Sequence, residues 1–202
     1  MLKVKPSPIE LAIQLTTAVT NTMSEAEFYE FCRTNPDLNI ERNAQGEAVV
    51  MAPAGANSGR RNAVISLELG LWARKDGRGL VFDSSSGFTL PNGAIRSPDA
   101  AWLLRHKWDA LTEAQQERFA PVCPDFVLEL RSRTDQLADL EEKMVEYIAN
   151  GAQLGWLVDP LEKQVTVYRP EVEPEILVNP TAVQATAPLD GFVLPLDEIF
   201  NS

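Results

Sequence analysis

The sequence predicts a single α/β domain, and three observations predict it. Short apolar runs bounded by Gly, Pro and Asn, among them AAWLL, FVLEL, LGWLV and QVTVY, have strand character. Two other stretches, near Gly59–Arg74 and Thr134–Asn150, repeat apolar residues at helical spacing. The two kinds of segment interleave along the chain. A length of 202 residues, with 45% hydrophobic and 23% charged, suits one domain with a substantial core.

Taken in order, residues 1–23 read as a peripheral N-terminal segment and the domain occupies residues 24–202. Ser24-Glu25-Ala26-Glu27 is a capping box that opens a short helix through Phe31, stopped at Asn35-Pro36. Leu38–Arg42 and Glu47–Ala52 form a hairpin around Asn43-Ala44-Gln45-Gly46. Pro53-Ala54-Gly55 is a loop. From Gly59 to Arg74 a helix turns Val64, Leu67, Leu71 and Trp72 inward, with Arg60 and Arg61 at its start. Gly79–Asp83, Gly87–Leu90 and Asp99–Leu104 are then successive strands of the sheet core, with Pro91-Asn92-Gly93 as a turn. Trp108–Phe119 is polar enough for a surface helix or insertion. After the strand around Glu129, Thr134 or Ser132 caps a helix to Asn150 whose inward stripe is Leu137, Leu140, Met144 and Ile148; Gly151 ends it. Leu154–Val158 and Gln164–Tyr168 are strands, and an acidic, proline-rich tail closes with a short strand and turn near Phe192–Phe200.

Two of these segments carry acids where apolar residues belong. Glu129 sits inside CPDFVLELRS, and Asp99 opens SPDAAWLL. An unpaired ionised carboxylate in an apolar interior costs several kcal/mol, so such a residue has a cation, a metal or a hydrogen-bond network to meet it. Strand alternation puts Phe126, Leu128 and Leu130 on one face and Asp125, Val127, Glu129 and Arg131 on the other, so one face is core and the other is chemistry. Asp125 lies roughly 13 Å from Glu129 along the strand, too far to share an ion. Asp99, on a neighbouring strand, is close enough, and two such carboxylates make a site for a hard divalent cation. The other reading of these residues alone is that Glu129 is structural and paired with Arg131, Arg133 or Arg96.

Pro98-Asp99 followed by Glu129-Leu130-Arg131 resembles the PD-(D/E)xK nuclease superfamily. The longer segments SPDAAWL, CPDFVLELRSRTD, KMVEYIANGAQLGWLVDP and GFVLPLDEIF follow the order and spacing of the Uma-two family, a restriction-endonuclease group abundant in cyanobacteria; the similarity runs from about Ser24 to Phe200. It implies a restriction-endonuclease-like core, a mixed central β-sheet flanked by helices. It implies hydrolysis of phosphodiester bonds, with DNA as the expected substrate and RNA not excluded. Asp99 and Glu129 would hold Mg²⁺, with the Leu130 backbone carbonyl as a third ligand and Mn²⁺ as a substitute. The pattern places lysine where this chain has Arg131, and a guanidinium cannot take a proton from water. In the resembled family the lysine has moved to the following helix, which points to Lys143. Arg131 would contact phosphate or brace a carboxylate. Arg60, Arg61, Arg96 and Tyr147 are candidate phosphate contacts, Tyr147 through sharing a helical face with Lys143. On residues alone, Lys143 reads first as a solvated lysine in the charged run Asp139–Glu146, paired with Asp139.

Net charge of −11 opposes nucleic-acid binding, which draws on Lys and Arg. Its distribution is uneven. Arg60, Arg61, Arg74, Lys75, Arg78, Arg96, Arg105 and Lys107 cluster in the segment that carries Asp99, while the chain from Asp135 onward is strongly acidic. No apolar run has the length of a membrane span or signal peptide, so a cytoplasmic protein is expected. Cys32 and Cys123 suit no disulfide framework or metal spacing. His106 falls in a surface turn, and Trp102 and Trp156 are core residues. A serine-hydrolase elbow, a Walker loop and a dinucleotide fingerprint are absent. A homodimer is expected, because duplex cleavage is most simply done by two sites about a two-fold axis. Two other classes compete with the nuclease: a nuclease-fold module that binds nucleic acid without cleaving it, and a protein-interaction component docking through its acidic C-terminal third.

Overall fold

The computed structural model of the protein describes residues 23–51 and 55–201. The expected peripheral segment lies outside these residues except for Met23, as do Ala52 of the hairpin and Pro53-Ala54 of the loop after it.

Helix α1 (Glu25–Thr34) starts as expected: Ser24 Oγ accepts from Glu27 N, and Glu27 Oε2 accepts from Ser24 N at 2.8 Å. Strands β1 (Asn39–Arg42) and β2 (Ala48–Met51) form the hairpin, closed by Asn43 and by Gly46 at φ 87°, a conformation that favours glycine. Helix α2 (Ala56–Asp76) buries Ile65, Leu69 and Ala73. The expected stripe is therefore rotated: Leu67 and Leu71 are exposed, and Val64 and Trp72 are only partly buried. Spacing alone could not choose between these neighbouring phases, since both supply apolar residues three and four apart.

Strands β3 (Gly79–Asp83), β4 (Phe88–Thr89), β5 (Ile95–Arg96) and β6 (Ala100–Leu104) follow. The short helices α3 (Arg105–Asp109) and α4 (Glu113–Gln116) fill the polar stretch, with His106 exposed on α3. Then come β7 (Phe126–Leu130), α5 (Leu137–Ala149), β8 (Leu154–Asp159), β9 (Gln164–Arg169), β10 (Val172–Val178), β11 (Ala182–Gln184), β12 (Val193–Pro195) and α6 (Asp197–Phe200).

The central sheet has the order β10-β9-β8-β7-β6-β3 and is mixed, with only β7 and β8 parallel. A parallel pair needs a crossover, and α5 supplies it. The sheet is covered on both sides. One apolar cluster joins Ile65 and Leu69 of α2 to Trp102, Phe126, Leu128 and Trp156 and to the tail residues Phe192, Leu194 and Ile199. The other joins Met144 and Tyr147 of α5 to Ala101, Val127 and Leu157. This corrects the expectation of one core face and one chemical face: all five residues of β7 are buried, and Glu129 emerges from the second core layer. Gly87–Leu90 is also corrected. It contributes β4 to a separate sheet of order β2-β1-β5-β4, because the Leu90–Ala94 turn folds β4 back onto β5.

Helix α5 begins at Leu137 with Gln136 as N-cap, two residues beyond the expected Thr134 cap; Asp135 instead accepts from Ser132 N at 2.7 Å, a turn that competes with helix initiation. The buried residues of α5 are Lys143, Met144 and Tyr147, whereas Leu137, Leu140 and Ile148 are partly buried. Met144 lies over Gly155 of β8, where an added Cβ would meet Met144 Cε at 2.5 Å, so the missing side chain lets α5 seat closely and turns Lys143 inward. No helix among the described residues is long and apolar enough to cross a membrane.

Candidate active site

The antiparallel ladder between β6 and β7 pairs Trp102 with Phe126, Ala101 with Val127 and Ala100 with Leu128. Continuing that register by one residue sets Asp99 opposite Glu129. Directly opposed residues have Cβ atoms roughly 5 Å apart, so the two acids converge at the ends of adjacent strands. Asp99 is held there by two donors: Leu130 N at 2.8 Å to Oδ2 and Asn62 Nδ2 at 2.6 Å to Oδ1. Glu129 Oε1 accepts from Tyr147 OH at 3.0 Å and faces Lys143 Nζ at 2.9 Å.

Lys143 does not pair with Asp139. Its ammonium lies between Glu129 and Glu41, the latter at 2.8 Å. The crossover from β7 through α5 to β8 brings it back over the strand that carries Glu129. Glu41 in turn accepts from Ser97 N at 2.8 Å and pairs with Arg96 at 3.1 Å, and Arg96 Nε meets Glu146 at 2.6 Å. These groups lie on an open cleft of about 1760 Å³, lined also by Arg61, Arg131 and Arg133.

Burial pushes the Glu129 carboxyl up to about 7, the charges of Asp99 and Glu41 adding to the effect against the pull of Lys143. Burial raises Asp99 as well, opposed by the Leu130 N–H. Burial alone would depress Lys143, but Glu129 and Glu41 outweigh it and hold the ammonium above its ordinary range. Lys143 is therefore a fixed cation, unsuited to accept a proton near neutrality. Glu41 is also buried, yet Lys143 and Arg96 keep it ionised.

Several expected roles are corrected by this geometry. Glu129 is paired, as the structural reading held, but with Lys143 rather than with Arg131, Arg133 or Arg96. Tyr147, a candidate phosphate contact, is fully buried with its hydroxyl committed to Glu129. Arg96, another, is clamped between Glu41 and Glu146. Arg60 points away from the cleft to the Glu198 carbonyl. Arg61 does line the cleft, and burial lowers its pKa, with repulsion from Arg60 and Arg133 adding to the effect. Arg131 braces a carboxylate, Asp159 at 2.6 Å, which ties the end of β7 to β8. Asp125 is occupied elsewhere, by Leu104 N and Lys107.

Glu41 and Asn62 were not anticipated. Asn62 carried a signal: it extends the Ile65–Leu69–Ala73 stripe of α2 by three residues, a polar group at an inward position. Glu41 carried little, because its strand NIER reads as an exposed hairpin arm.

The donor set fits a hard divalent cation. Glu129 is a buried and Asp99 a partly buried oxygen donor, and burial, which raises both carboxyls, is a cost that a bound cation would offset. With two side-chain carboxylates as its protein donors, an ion here would keep positions for water and phosphate. Loss of the Asn62 donor should loosen Asp99: Asn62→Ala is expected to weaken Mn²⁺ binding by roughly 10–100-fold, the range for partners that orient a ligand. Unchanged affinity in a calorimetric titration would place the ion away from Asp99.

A pH dependence follows from Glu129, which faces Asp99, Glu41, Lys143 and Tyr147. With a folded pKa of about 7, above the 4.5 of the free group, the folded chain keeps a proton that the unfolded chain has lost. This group's contribution to stability thus falls as pH rises through that window. A cation must displace the proton, so Mn²⁺ affinity should climb by about tenfold per pH unit below 7 and level off above it. A flat profile would contradict the assignment.

Fold and site together define a class: a mixed α/β domain of restriction-endonuclease-like architecture with two carboxylates at the ends of adjacent strands and a lysine brought to them by the crossover helix. The chain belongs to the Uma2 family, described as "Putative restriction endonuclease", which it matches over residues 25–197. Its fold is similar to the crystal structure of "a putative nuclease belonging to DUF820" from Anabaena variabilis ATCC 29413, with a TM-score of 0.72 and 20% sequence identity over 89% of this chain and 98% of that one. No curated protein matches the sequence. A nuclease-like function rests on this membership.

Proposed function

We propose that the protein is a divalent-metal-dependent endonuclease hydrolysing phosphodiester bonds in DNA, with Mg²⁺ held by Asp99, Glu129 and the Leu130 carbonyl, and with Mn²⁺ able to replace it. The observation that carries this reading is the Lys143 ammonium 2.9 Å from Glu129 on the cleft that also exposes Asp99. It supplies from the crossover helix the cation that Arg131, committed to Asp159, does not. A bound Mg²⁺ would polarise the scissile phosphate and lower the pKa of a coordinated water. Lys143, fixed and charged, would stabilise the charge that develops on the phosphate and orient the attacking water. Arg61 and Arg133, like charges lining the same cleft, would hold flanking phosphates, offsetting the net charge of −11 where it matters. Arg131 fixes the end of β7.

The test is incubation of supercoiled plasmid and of single-stranded DNA and RNA with the protein in Mg²⁺, Mn²⁺ or EDTA. Cleavage that EDTA abolishes is expected. Binding without cleavage under all metals would support the non-cleaving module instead. A two-fold dimer would place two sites on one duplex, and light scattering at micromolar concentration would read its mass.

A further inference from the structure

Glu41 is a carboxylate for which hydrolysis as proposed has no use, yet it is as deeply buried as Glu129. Its Oε1 accepts from Lys143 Nζ at 2.8 Å and from Ser97 N at 2.8 Å, and its Oε2 meets Arg96 at 3.1 Å. One side chain on β1 therefore ties together the Ser97–Asp99 turn, which delivers a site carboxylate, and helix α5, which delivers the lysine. The Lys143 ammonium is shared almost equally, 2.8 Å from Glu41 and 2.9 Å from Glu129.

That sharing matters when a cation reaches Asp99 and Glu129. A divalent ion beside Glu129 draws that carboxylate away from the ammonium and repels the ammonium itself. A buried ammonium left without an acceptor is strongly disfavoured. Glu41 is the carboxylate that remains to hold it. Both Glu41 oxygens are already occupied by Lys143, Ser97 N and Arg96, which leaves it poorly placed to bind the ion directly.

Resting on the metal-site reading above, we infer that Glu41 is a positioning residue: it holds Lys143 in place while Glu129 is given over to a divalent cation, and so acts on that cation through the lysine. This differs from a structural role, and also from a general attraction of its charge for cations. Either of those would act whether or not a lysine stood at position 143.

A double-mutant cycle on Mn²⁺ affinity, read by electron paramagnetic resonance with the full chain and no substrate, separates these roles. In the wild-type background Glu41→Gln is expected to weaken Mn²⁺ binding by about tenfold or more, a coupling usual for groups in contact. In the Lys143→Met background the same change should alter affinity by less than about threefold. Glu41→Asp keeps the charge but withdraws it by one methylene; it should weaken binding as Gln does, and it serves as the second probe should the Gln variant melt early. Equal weakening in both backgrounds, or wild-type affinity in Glu41→Asp and Glu41→Gln alike, overturns the inference while leaving the metal site intact. A wild-type protein that takes up no Mn²⁺ overturns the metal site itself, and this inference with it.

Discussion

Lys143→Met is expected to lower DNA cleavage by about 10² or more, the usual range for a group that positions water or supports proton transfer. Simple removal of a solvated lysine would leave folding untouched, but this lysine is buried between Glu41 and Glu129. Removing it takes from Glu129 its paired cation and leaves Glu41 with Arg96 alone. Breaking a buried pair costs about 3–5 kcal/mol, which in a domain of this size lowers Tm by about 10 °C. Divalent cation should restore part of that loss, because it supplies the missing positive charge. The signature is therefore joint: slower cleavage, a lower Tm without metal, and a larger stabilisation by Mn²⁺ than the wild type shows. Calorimetric melts with and without Mn²⁺, alongside single-turnover cleavage, read all three. Wild-type cleavage in a folded Lys143→Met protein would remove the lysine from the chemistry.

Asp99→Asn and Glu129→Gln should each abolish cleavage and weaken Mn²⁺ binding by more than about 100-fold, since orienting partners alone account for roughly 10–100-fold. The two substitutions should differ in stability. Asn at 99 keeps a side-chain oxygen for Leu130 N and loses little. Gln at 129 removes a carboxyl whose ionisation is costly, but leaves Lys143 with Glu41 alone. Its stability should be near that of the wild type at about pH 4, where the carboxyl is protonated in both states, and should fall less than the wild type's as pH rises from about 4.5 to about 7. Asp125→Asn provides the contrast: it removes the charge paired with Lys107 while keeping an oxygen for Leu104 N, and should lower stability without changing Mn²⁺ affinity.

The sheet and the two acids were legible because the relevant signals are local. A carboxylate in the middle of FVLEL, or opening SPDAAWLL, is anomalous in any fold, and the strand pattern around it says which way it points. Lys143 was legible only through family resemblance, since its helix carries Asp139, Glu141, Glu142 and Glu146 around it and looks solvated. Its inward phase depends on how closely α5 approaches β8, which Gly155 and Met144 decide. The partners of Arg96 and Tyr147 were misread for a related reason: each lies near the site in sequence pattern, but its acceptor comes from a distant segment. Glu41 is the extreme case, reaching Lys143 across 102 positions of chain, and nothing in NIER announces it.

On the proposed mechanism, Asp99 and Glu129 together hold a divalent cation. Crystals soaked in Mn²⁺ and measured at a wavelength where manganese scatters anomalously test it most directly. One peak is expected within about 2.2 Å of an oxygen of Asp99 and an oxygen of Glu129, with Lys143 turned toward Glu41. An anomalous peak elsewhere, or none at millimolar Mn²⁺ with the Lys143–Glu129 pair unchanged, would contradict it.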